Sequence, residues 1–240
     1  MRGLRALVVL VAALSATTAG VSETHAACST AVHPLGTRRV AYAGYATHGA
    51  VAYRTPGGAK LARFGARNAN EYPTLFAVRG WKLGRDCRAR WYRVQLPIRP
   101  NGSTGWVRGG SLALERVTTR IVVDLSERRL RLYRGGRLVL RAPVGIGAPA
   151  TPTPTGSYYV NQRLVPADAS GPFGPAALGI SAFSPTLTWW PQGGPIAIHG
   201  TDEPSSIGRA ASSGCIRLRN AVLRRVFAAT GAGTPVLVRP

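Results

Sequence analysis

The clearest pattern in the chain is an alternation of apolar and charged positions in its second half. In the stretch "TRIVVDLSERRLRLYRGGRLVLRAPVGIG", Leu130 and Leu132 alternate with Arg129 and Arg131. A period of two is typical of a β-strand with one buried face. The pair Gly135-Gly136 supplies the two residues that a tight hairpin turn requires. We therefore predict a β-hairpin at this point.

The first half shows short apolar segments that are interrupted by glycine and proline. Trp91 and Trp106 fall in two such segments, and "RPNGSTG" between them is typical of a turn. Several short strands within about 75 residues favour a small barrel. We expect this barrel to cover residues 41–114.

A second unit is predicted over residues 117–239. Its motif "TPTPTG" imposes an extended loop, and residues 170–195 look like one long irregular loop of the kind that forms a lid or binding wall. "IAIH" then predicts a buried strand ending at His199. Asn220 is a suitable N-cap for a helix that stops at Gly231, and "TPVLV" predicts a closing strand. The fold class is mainly β, with one or two short helices.

The N-terminus predicts export. Arg2 and Arg5 precede a short apolar run, and "THAAC" offers a cleavage site near Ala26, which is the pattern of a signal peptide over residues 1–26. We expect a protein of the periplasm or cell wall with no transmembrane segment. A lipid anchor on Cys28 is an alternative that the sequence leaves open.

The formal net charge is +22, and nearly all of it is arginine. Nucleic-acid binding is one interpretation, but export and the scattering of the arginines argue against it. Attraction to anionic cell-wall polymers is a second interpretation. Arginine-rich codon usage is a third, so the charge alone does not choose a partner.

Three cysteines allow one disulfide and one free thiol. Cys28 and Cys87 both lie in the N-terminal half and are the natural pair, which leaves Cys215. An exported free thiol invites oxidation, so we expect it to have a chemical purpose.

The segment "AIHGTDEPSSIGRAASSGCIRLRN" places His199 and Cys215 in one loop-rich region. A thiol reacts as its thiolate, and a nearby imidazole can take its proton. His199 is the only histidine in the predicted second unit. The N–H groups of Ser213, Gly214 and Cys215 are candidates to stabilise an oxyanion beside the sulfur.

Three alternatives remain at this point. In the first alternative, Cys215 is an inert thiol and His199 is a histidine of the hydrophobic core. A zinc site would add Asp202 or Glu203, but it has too few ligands at the usual spacings. A serine hydrolase would use Ser212 or Ser213, although the chain has no G-x-S-x-G motif.

The opening hairpin, "TPTPTG", "IHG" and "SSGCIRLRN" together resemble the L,D-transpeptidase catalytic domain of the YkuD type. The resemblance implies a β-sandwich-like domain in which Cys215 is the nucleophile and His199 the general base. It also implies that the Gly200 carbonyl holds the imidazole tautomer, and it makes Gly214 part of the catalytic loop. The surrounding candidates for substrate binding are Ser212, Ser213, Arg217 and Asn220. Ser213 stands where the family usually has a second histidine.

The preceding stretch "WYRVQLP…GSTGWVRGGSL" resembles bacterial SH3-like domains. This second resemblance implies a wall-binding or positioning module, although a generic barrel that only packs on its neighbour is equally open. The transpeptidase resemblance implies peptide exchange in peptidoglycan, with stem peptides as substrate, carbapenem-type inhibitors and no metal or organic cofactor. Water as the acceptor would give an L,D-carboxypeptidase instead. A degenerate, non-catalytic wall-binding protein is the rival from another class, and Ser213 is its best support.

Overall fold

The computed structural model describes residues 31–84, 87 and 90–240. The predicted signal peptide and Cys28 lie outside the described residues. Cys87 is disulfide-bonded, and Cys215 is a free thiol. The predicted pairing of Cys87 with Cys28 remains a prediction because one partner is not described.

The first part of the described chain forms a sheet of eight strands. These are β1 His33–Pro34, β2 Ala41–Ala46, β3 Ala50–Tyr53, β4 Lys60–Phe64, β5 Leu75–Leu83, β6 Arg90–Gln95, β7 Thr104–Arg108 and β8 Leu112–Val117. Their order is β4-β3-β7-β6-β5-β2-β8, and β1 pairs with β5. This sheet therefore begins earlier than residue 41, because His33 pairs with Trp81 and stacks on its ring at 4.5 Å.

The alternating apolar positions of these strands enclose a core of their own. Phe76, Val94, Leu96 and Val107 are almost completely buried in it. The turn predicted from "RPNGSTG" joins β6 to β7, which pair with each other. The SH3-like character of this unit stays a prediction.

The second part forms another sheet of eight strands with a small two-stranded sheet beside it. The elements are β9 Thr119–Asp124, β10 Arg129–Arg134, β11 Arg137–Pro143, β12 Ile146–Gly147, β13 Gly156–Leu164, β14 Ala177–Phe183, β15 Pro195–His199, β16 Ala210–Ser212, β17 Ile216–Arg217, α1 Asn220–Ala229 and β18 Pro235–Arg239. The order of the large sheet is β11-β10-β9-β18-β13-β14-β15-β17, and β12 pairs with β16. The predicted hairpin is confirmed, since Gly135 and Gly136 both have positive φ in the turn between β10 and β11.

Strands from opposite ends of this large sheet share one hydrophobic core. Ile121 and Leu130 lie in it together with Ile198 and Ile216. The sheet must therefore fold over on itself, and bulges in β13 and β14 mark where its pairing is interrupted. The mainly β fold predicted from the sequence is confirmed.

The prediction of one long loop over residues 170–195 is wrong in its middle. Residues Ala177–Phe183 form β14, which pairs with β13 on one side and β15 on the other. Six of its seven residues are buried. Because both faces are covered, the strand shows no alternation of polar and apolar residues, and its small side chains resemble a loop sequence.

Helix α1 packs Leu223 and Val226 into the core of the second sheet. Arg219, not Asn220, is its N-cap, and no side chain caps it there. The helix ends at Ala229, just before the predicted stop at Gly231. Within the part of the chain that is described, no helix has the length and apolar character needed to cross a bilayer.

The two sheets also share a smaller core of their own. Ala43, Leu75 and Val117 from the first part pack with Tyr159 and Ala232 from the second. The Tyr159 hydroxyl donates a hydrogen bond to the carbonyl of Leu75 at 3.1 Å. The first sheet is thus packed directly against the unit that carries His199 and Cys215.

Candidate active site

His199 is the last residue of β15, so a buried strand aims its ring. The side chain is only 4% exposed. Nδ1 lies 2.6 Å from the carbonyl oxygen of Gly200. A carbonyl only accepts, so Nδ1 carries the proton and Nε2 is left as the acceptor. Phe173 packs edge-on against the ring at 5.0 Å between centroids.

Burial lowers the pKa of His199 to about 4. The main cause is loss of hydration of the imidazolium, and the Gly200 carbonyl opposes it by accepting from the ring. The charge of Arg217 lowers the pKa further, while Asp202 raises it. At neutral pH the imidazole is therefore uncharged, and Nε2 is able to accept a proton.

Cys215 directly precedes β17, which pairs in parallel with β15 so that Ile216 faces Ile198. This register puts Cys215 beside Ala197, and the N–H of Ala197 donates to Sγ at 3.4 Å. His199 lies two positions further along the same face of β15, which is roughly 7 Å at the rise of a strand. The predicted thiol and imidazole are therefore brought to one face of the sheet.

Burial raises the pKa of the Cys215 thiol. The Ala197 N–H and the charge of Arg217 both lower it but do not outweigh the loss of hydration. The resting site therefore holds a neutral thiol and a neutral imidazole on neighbouring strands. Such a pair reacts when the thiol loses its proton as it attacks.

The loop before the sulfur is held by hydroxyl groups. Ser212 Oγ donates to the carbonyl of Cys215 at 2.6 Å and accepts from the N–H of Gly214 at 3.2 Å. Thr153 Oγ donates to the carbonyl of Gly214 at 2.9 Å and accepts from the N–H of Gly147 at 2.8 Å. Gly214 has φ +111°, a conformation that side-chain-bearing residues rarely adopt.

Two of the three predicted oxyanion donors are free to act. The N–H of Gly214 is taken by Ser212, so this group is not a donor in the resting site. Among the described residues, no acceptor takes the N–H of Ser213 or of Cys215. Of the predicted oxyanion donors, the N–H groups of Ser213 and Cys215, on either side of Gly214, therefore remain as candidates.

The four predicted substrate-binding residues have different surroundings. Ser212 is buried and braces the loop, whereas Ser213 is exposed. Arg217 pairs with Glu203 at 2.8 Å. Asn220 accepts from the N–H of Thr201 at 2.8 Å and so fixes the loop after His199. Of these four, Ser213 is the one whose side chain is open to a ligand.

Sequence reasoning did not identify several residues that shape the site. Thr153 lies in the "TPTPTG" motif, whose prolines indicate only an extended backbone. Phe173 lies in the predicted long loop, with no signal that it would cover the histidine. Ala197 has no distinctive side chain, and its contribution is a backbone N–H that depends on strand register.

The positions of the described side chains do not support the alternative of a zinc site. Within residues 31–84, 87 and 90–240, no three His, Cys, Asp or Glu side chains come close enough together to hold a metal ion. Glu203, one of the proposed ligands, is paired with Arg217 instead.

The fold and the site define a mainly β protein with a half-buried thiol, a buried imidazole and nearby backbone donors. The family model for the YkuD L,D-transpeptidase catalytic domain matches residues 118–238. The chain belongs to this family. The match begins next to the predicted start at residue 117 and covers the second sheet except for Arg239, the last residue of β18.

Individual relatives are similar to the chain as well. The chain is 36% identical over 126 residues to the protein named YkuD of Bacillus licheniformis. This alignment covers 52% of this chain and 68% of that protein. It is 29% identical over 149 residues to YkuD of Bacillus subtilis, covering 60% and 83%. The NMR structure of an E. faecium L,D-transpeptidase catalytic domain is 30% identical and covers 50% of this chain and 96% of that one, with a TM-score of 0.37.

Proposed function

We propose that this protein is an exported peptidoglycan L,D-transpeptidase that uses Cys215 as its nucleophile. The observation that carries the proposal is the placement of a free thiol on the same face as a neutral imidazole whose tautomer is fixed by Gly200. Membership of the YkuD family supplies the substrate class. The disulfide at Cys87 supports an oxidising compartment.

The first half-reaction forms a thioester. Cys215 Sγ attacks the carbonyl carbon of the third stem residue while its proton passes to Nε2 of His199. In this proposal the N–H groups of Ser213 and Cys215 stabilise the resulting oxyanion. Collapse breaks the C–N bond, and the imidazolium returns its proton to the amine of the leaving D-alanine.

The second half-reaction transfers the acyl group. An amine of a neighbouring stem attacks the thioester, and His199 takes its surplus proton. Collapse then breaks the C–S bond, and the proton returns to the sulfur, which restores the resting thiol. The product is a 3→3 cross-link, whereas attack by water would give a trimmed stem and make the enzyme a carboxypeptidase.

A degenerate binding protein is the less favoured candidate. Ser213 replaces the usual motif histidine, but its side chain is exposed and carries none of the contacts that hold the loop. The hydrogen bonds that position Cys215 and His199 come from Ser212, Thr153, Ala197 and Gly200 instead. These contacts favour an active enzyme over a degenerate one.

The test combines a covalent inhibitor with a substrate. Incubation with a carbapenem is expected to add one inhibitor mass to the intact protein, and Cys215→Ala is expected to abolish the adduct. The same substitution should reduce exchange on a stem tetrapeptide by on the order of 10⁴-fold or more. Circular dichroism checks that the variant remains folded.

The products distinguish the three candidate functions. With an acceptor amine present, cross-linked dimer identifies a transpeptidase, and trimmed stem alone identifies a carboxypeptidase. Full exchange by Cys215→Ala, or the absence of both adduct and exchange in the unchanged protein, contradicts the proposal.

A further inference from the structure

We propose that Phe173 is a positioning residue that shields His199 from water and so favours an amine over water as the acceptor of the acyl group. The inference deepens the proposed function and rests on it for the acceptor. It gives a role to residues 165–176, the segment between β13 and β14, which we call the cap loop. None of the motifs that carry the family resemblance contains a residue of this loop.

Phe173 lies on the solvent side of the candidate base. Its ring packs edge-on against the imidazole of His199, with 5.0 Å between the centroids. The histidine is only 4% exposed, whereas Phe173 is 49% exposed. A buried ring in contact with a half-exposed ring is covered by it. Removal of the phenyl group therefore opens a path for water to the imidazole.

Strand pairing brings the end of the cap loop to His199. Ala177 is the first residue of β14, and it pairs with His199, the last residue of β15. The two strands are antiparallel, so the three residues before Ala177 run beside the loop that follows His199. Phe173 comes directly before these three residues. Its position next to the imidazole is thus set by the register of the sheet.

Gly174 seats the cap loop on the backbone that orients the imidazole. A Cβ at this position would lie 2.5 Å from Oδ1 of Asn220 and 2.8 Å from Cα of Gly200. Its φ is +62°, which also favours glycine. A Cβ on Gly200 would in turn lie 3.0 Å from Cα of Gly174, so the two backbones pack directly. The carbonyl that fixes the tautomer and the residue next to Phe173 are therefore held together.

The cap loop is also ordered by its own hydrogen bonds. Asp168 Oδ1 accepts from the N–H of Ser170 at 2.8 Å and from its hydroxyl at 2.6 Å. The N–H of Gly174 donates to the carbonyl of Gly171 at 2.8 Å. These bonds form two consecutive turns. They hold the phenyl group over the imidazole before any ligand arrives.

The charged groups near the imidazole do not depend on Phe173. Arg217 on β17 lowers the pKa of the imidazole, and Asp202 in the loop after β15 raises it. Cys215 is a neutral thiol at rest, and β14 contributes no titratable residue. The titratable residue of the cap loop, Asp168, is occupied by the turn. Replacement of Phe173 therefore changes the hydration of the imidazole and leaves these charges in place.

Exclusion of water bears on the second half-reaction. Hydrolysis requires a water molecule to attack the thioester carbonyl carbon while its proton passes to Nε2 of His199. The C–S bond then breaks, and the proton returns to Sγ of Cys215. A closed site protects a reactive intermediate from this reaction. An amine arrives as part of a bound stem peptide, so its delivery does not require bulk water to reach the base.

The first measurement is an NMR titration of the histidine Cε1 signals in the intact protein. The His199 signal is the one that His199→Gln removes. Its pKa is about 4 in the unchanged protein. Phe173→Ala is expected to raise the proton affinity of this imidazole about tenfold or more, because water can then solvate the imidazolium. Phe173→Leu keeps an apolar cover and is expected to stay within about twofold.

The second measurement is the ratio of hydrolysed to transferred product from a stem tetrapeptide with an acceptor amine. Phe173→Ala is expected to raise this ratio about fivefold or more, and Phe173→Leu to leave it within about twofold. The matched control is Val165→Ala, which removes apolar atoms from the same loop at a position that is 74% exposed. It is expected to leave the proton affinity and the product ratio within about twofold.

Gly174→Ala displaces the cap loop by a separate route and is expected to change both measurements in the same direction as Phe173→Ala. Circular dichroism checks that each variant is folded. An unchanged titration or an unchanged product ratio in Phe173→Ala overturns the proposal, and so does an equal change in Val165→Ala. If the unchanged protein forms no exchange product, the acceptor preference falls with the proposed function. The titration needs no turnover and still decides whether Phe173 shields His199.

Discussion

At the scale of single residues, burial sets the protonation of the candidate site. His199 and Cys215 both lose hydration, and this loss penalises the charged form of each. It lowers the pKa of the imidazole and raises that of the thiol, so both are neutral at rest. The Gly200 carbonyl then decides which ring nitrogen is left to accept a proton.

The first prediction concerns the acid limit of the activity. Protonation of His199 removes the base, so kcat/KM for stem-peptide exchange should fall as the pH drops through about 4, not near the 6.5 of an ordinary imidazole. Between about pH 5 and 8 the imidazole should stay neutral. A pH–rate profile checks this, and an acid limb centred near 6.5 would show that burial does not control the protonation of His199.

The second prediction contrasts two adjacent serines. Ser212→Ala removes the hydroxyl that bonds both Cys215 and Gly214, and should cost about 1–3 kcal/mol of unfolding free energy. It should also slow carbapenem acylation, because the loop that positions the sulfur loosens. Ser213→Ala changes an exposed side chain and should stay within about 0.5 kcal/mol.

Urea unfolding and acylation kinetics measure both effects of these substitutions. If the two serine variants behaved alike in both measurements, the bracing role of Ser212 would be excluded.

At the scale of elements, the cysteine loop depends on a distant segment. Thr151 and Thr153 of the "TPTPTG" loop bond the carbonyls of Ser212 and Gly214, about sixty residues further along the chain. β12 pairs with β16 beside them. The extended proline-rich loop is therefore a support for the loop that ends at the sulfur.

The third prediction tests this support with two threonines of one loop. Thr153→Val keeps the side-chain shape but leaves the buried Gly147 N–H without its acceptor, and should cost about 2 kcal/mol. It should also slow acylation at Cys215. Thr155→Val alters an exposed position and is the matched control.

Thermal unfolding and the rate of adduct formation report on stability and on positioning of the sulfur respectively. Unchanged acylation in a destabilised Thr153→Val would show that the loop affects stability alone.

At the scale of the whole molecule, the two units share a core and several side-chain hydrogen bonds. Tyr159 is completely buried where they meet, and burial raises the pKa of its hydroxyl far above the ordinary value. Three hydrogen bonds cross the junction: from the Tyr159 hydroxyl to the Leu75 carbonyl, from the Asn68 amide to Gln162 Oε1, and from the Arg99 guanidinium to the Ser184 carbonyl. We therefore expect the two units to unfold together.

The fourth prediction follows from this shared core. Calorimetry should show one unfolding transition, and Tyr159→Phe should lower the unfolding free energy by about 1–2 kcal/mol by leaving the Leu75 carbonyl unpaired. Tyr133→Phe, at a partly exposed position in β10, should change it little. Two separate transitions in the unchanged protein would show that the units are independent.

Much of this architecture was predictable because its signals are local. The alternation around Leu130, the glycines of the hairpin turn and the apolar strand before His199 are each contained in a few neighbouring residues. β14 was missed because a strand buried on both faces has no alternation, and Asn220 was misplaced because its partner, the N–H of Thr201, is distant in sequence.

The sequence by itself determined the family and indicated the candidate reactive residues Cys215 and His199, because the motifs that carry them are continuous in the chain. Only the tertiary structure decided that Ala197 bonds the sulfur, that Ser212 takes the Gly214 N–H, and that Tyr159 bonds the first unit at Leu75. These contacts depend on strand register and on packing between distant segments. A local pattern does not encode them, since each arises only when long-range pairing brings backbone groups and side chains into one place.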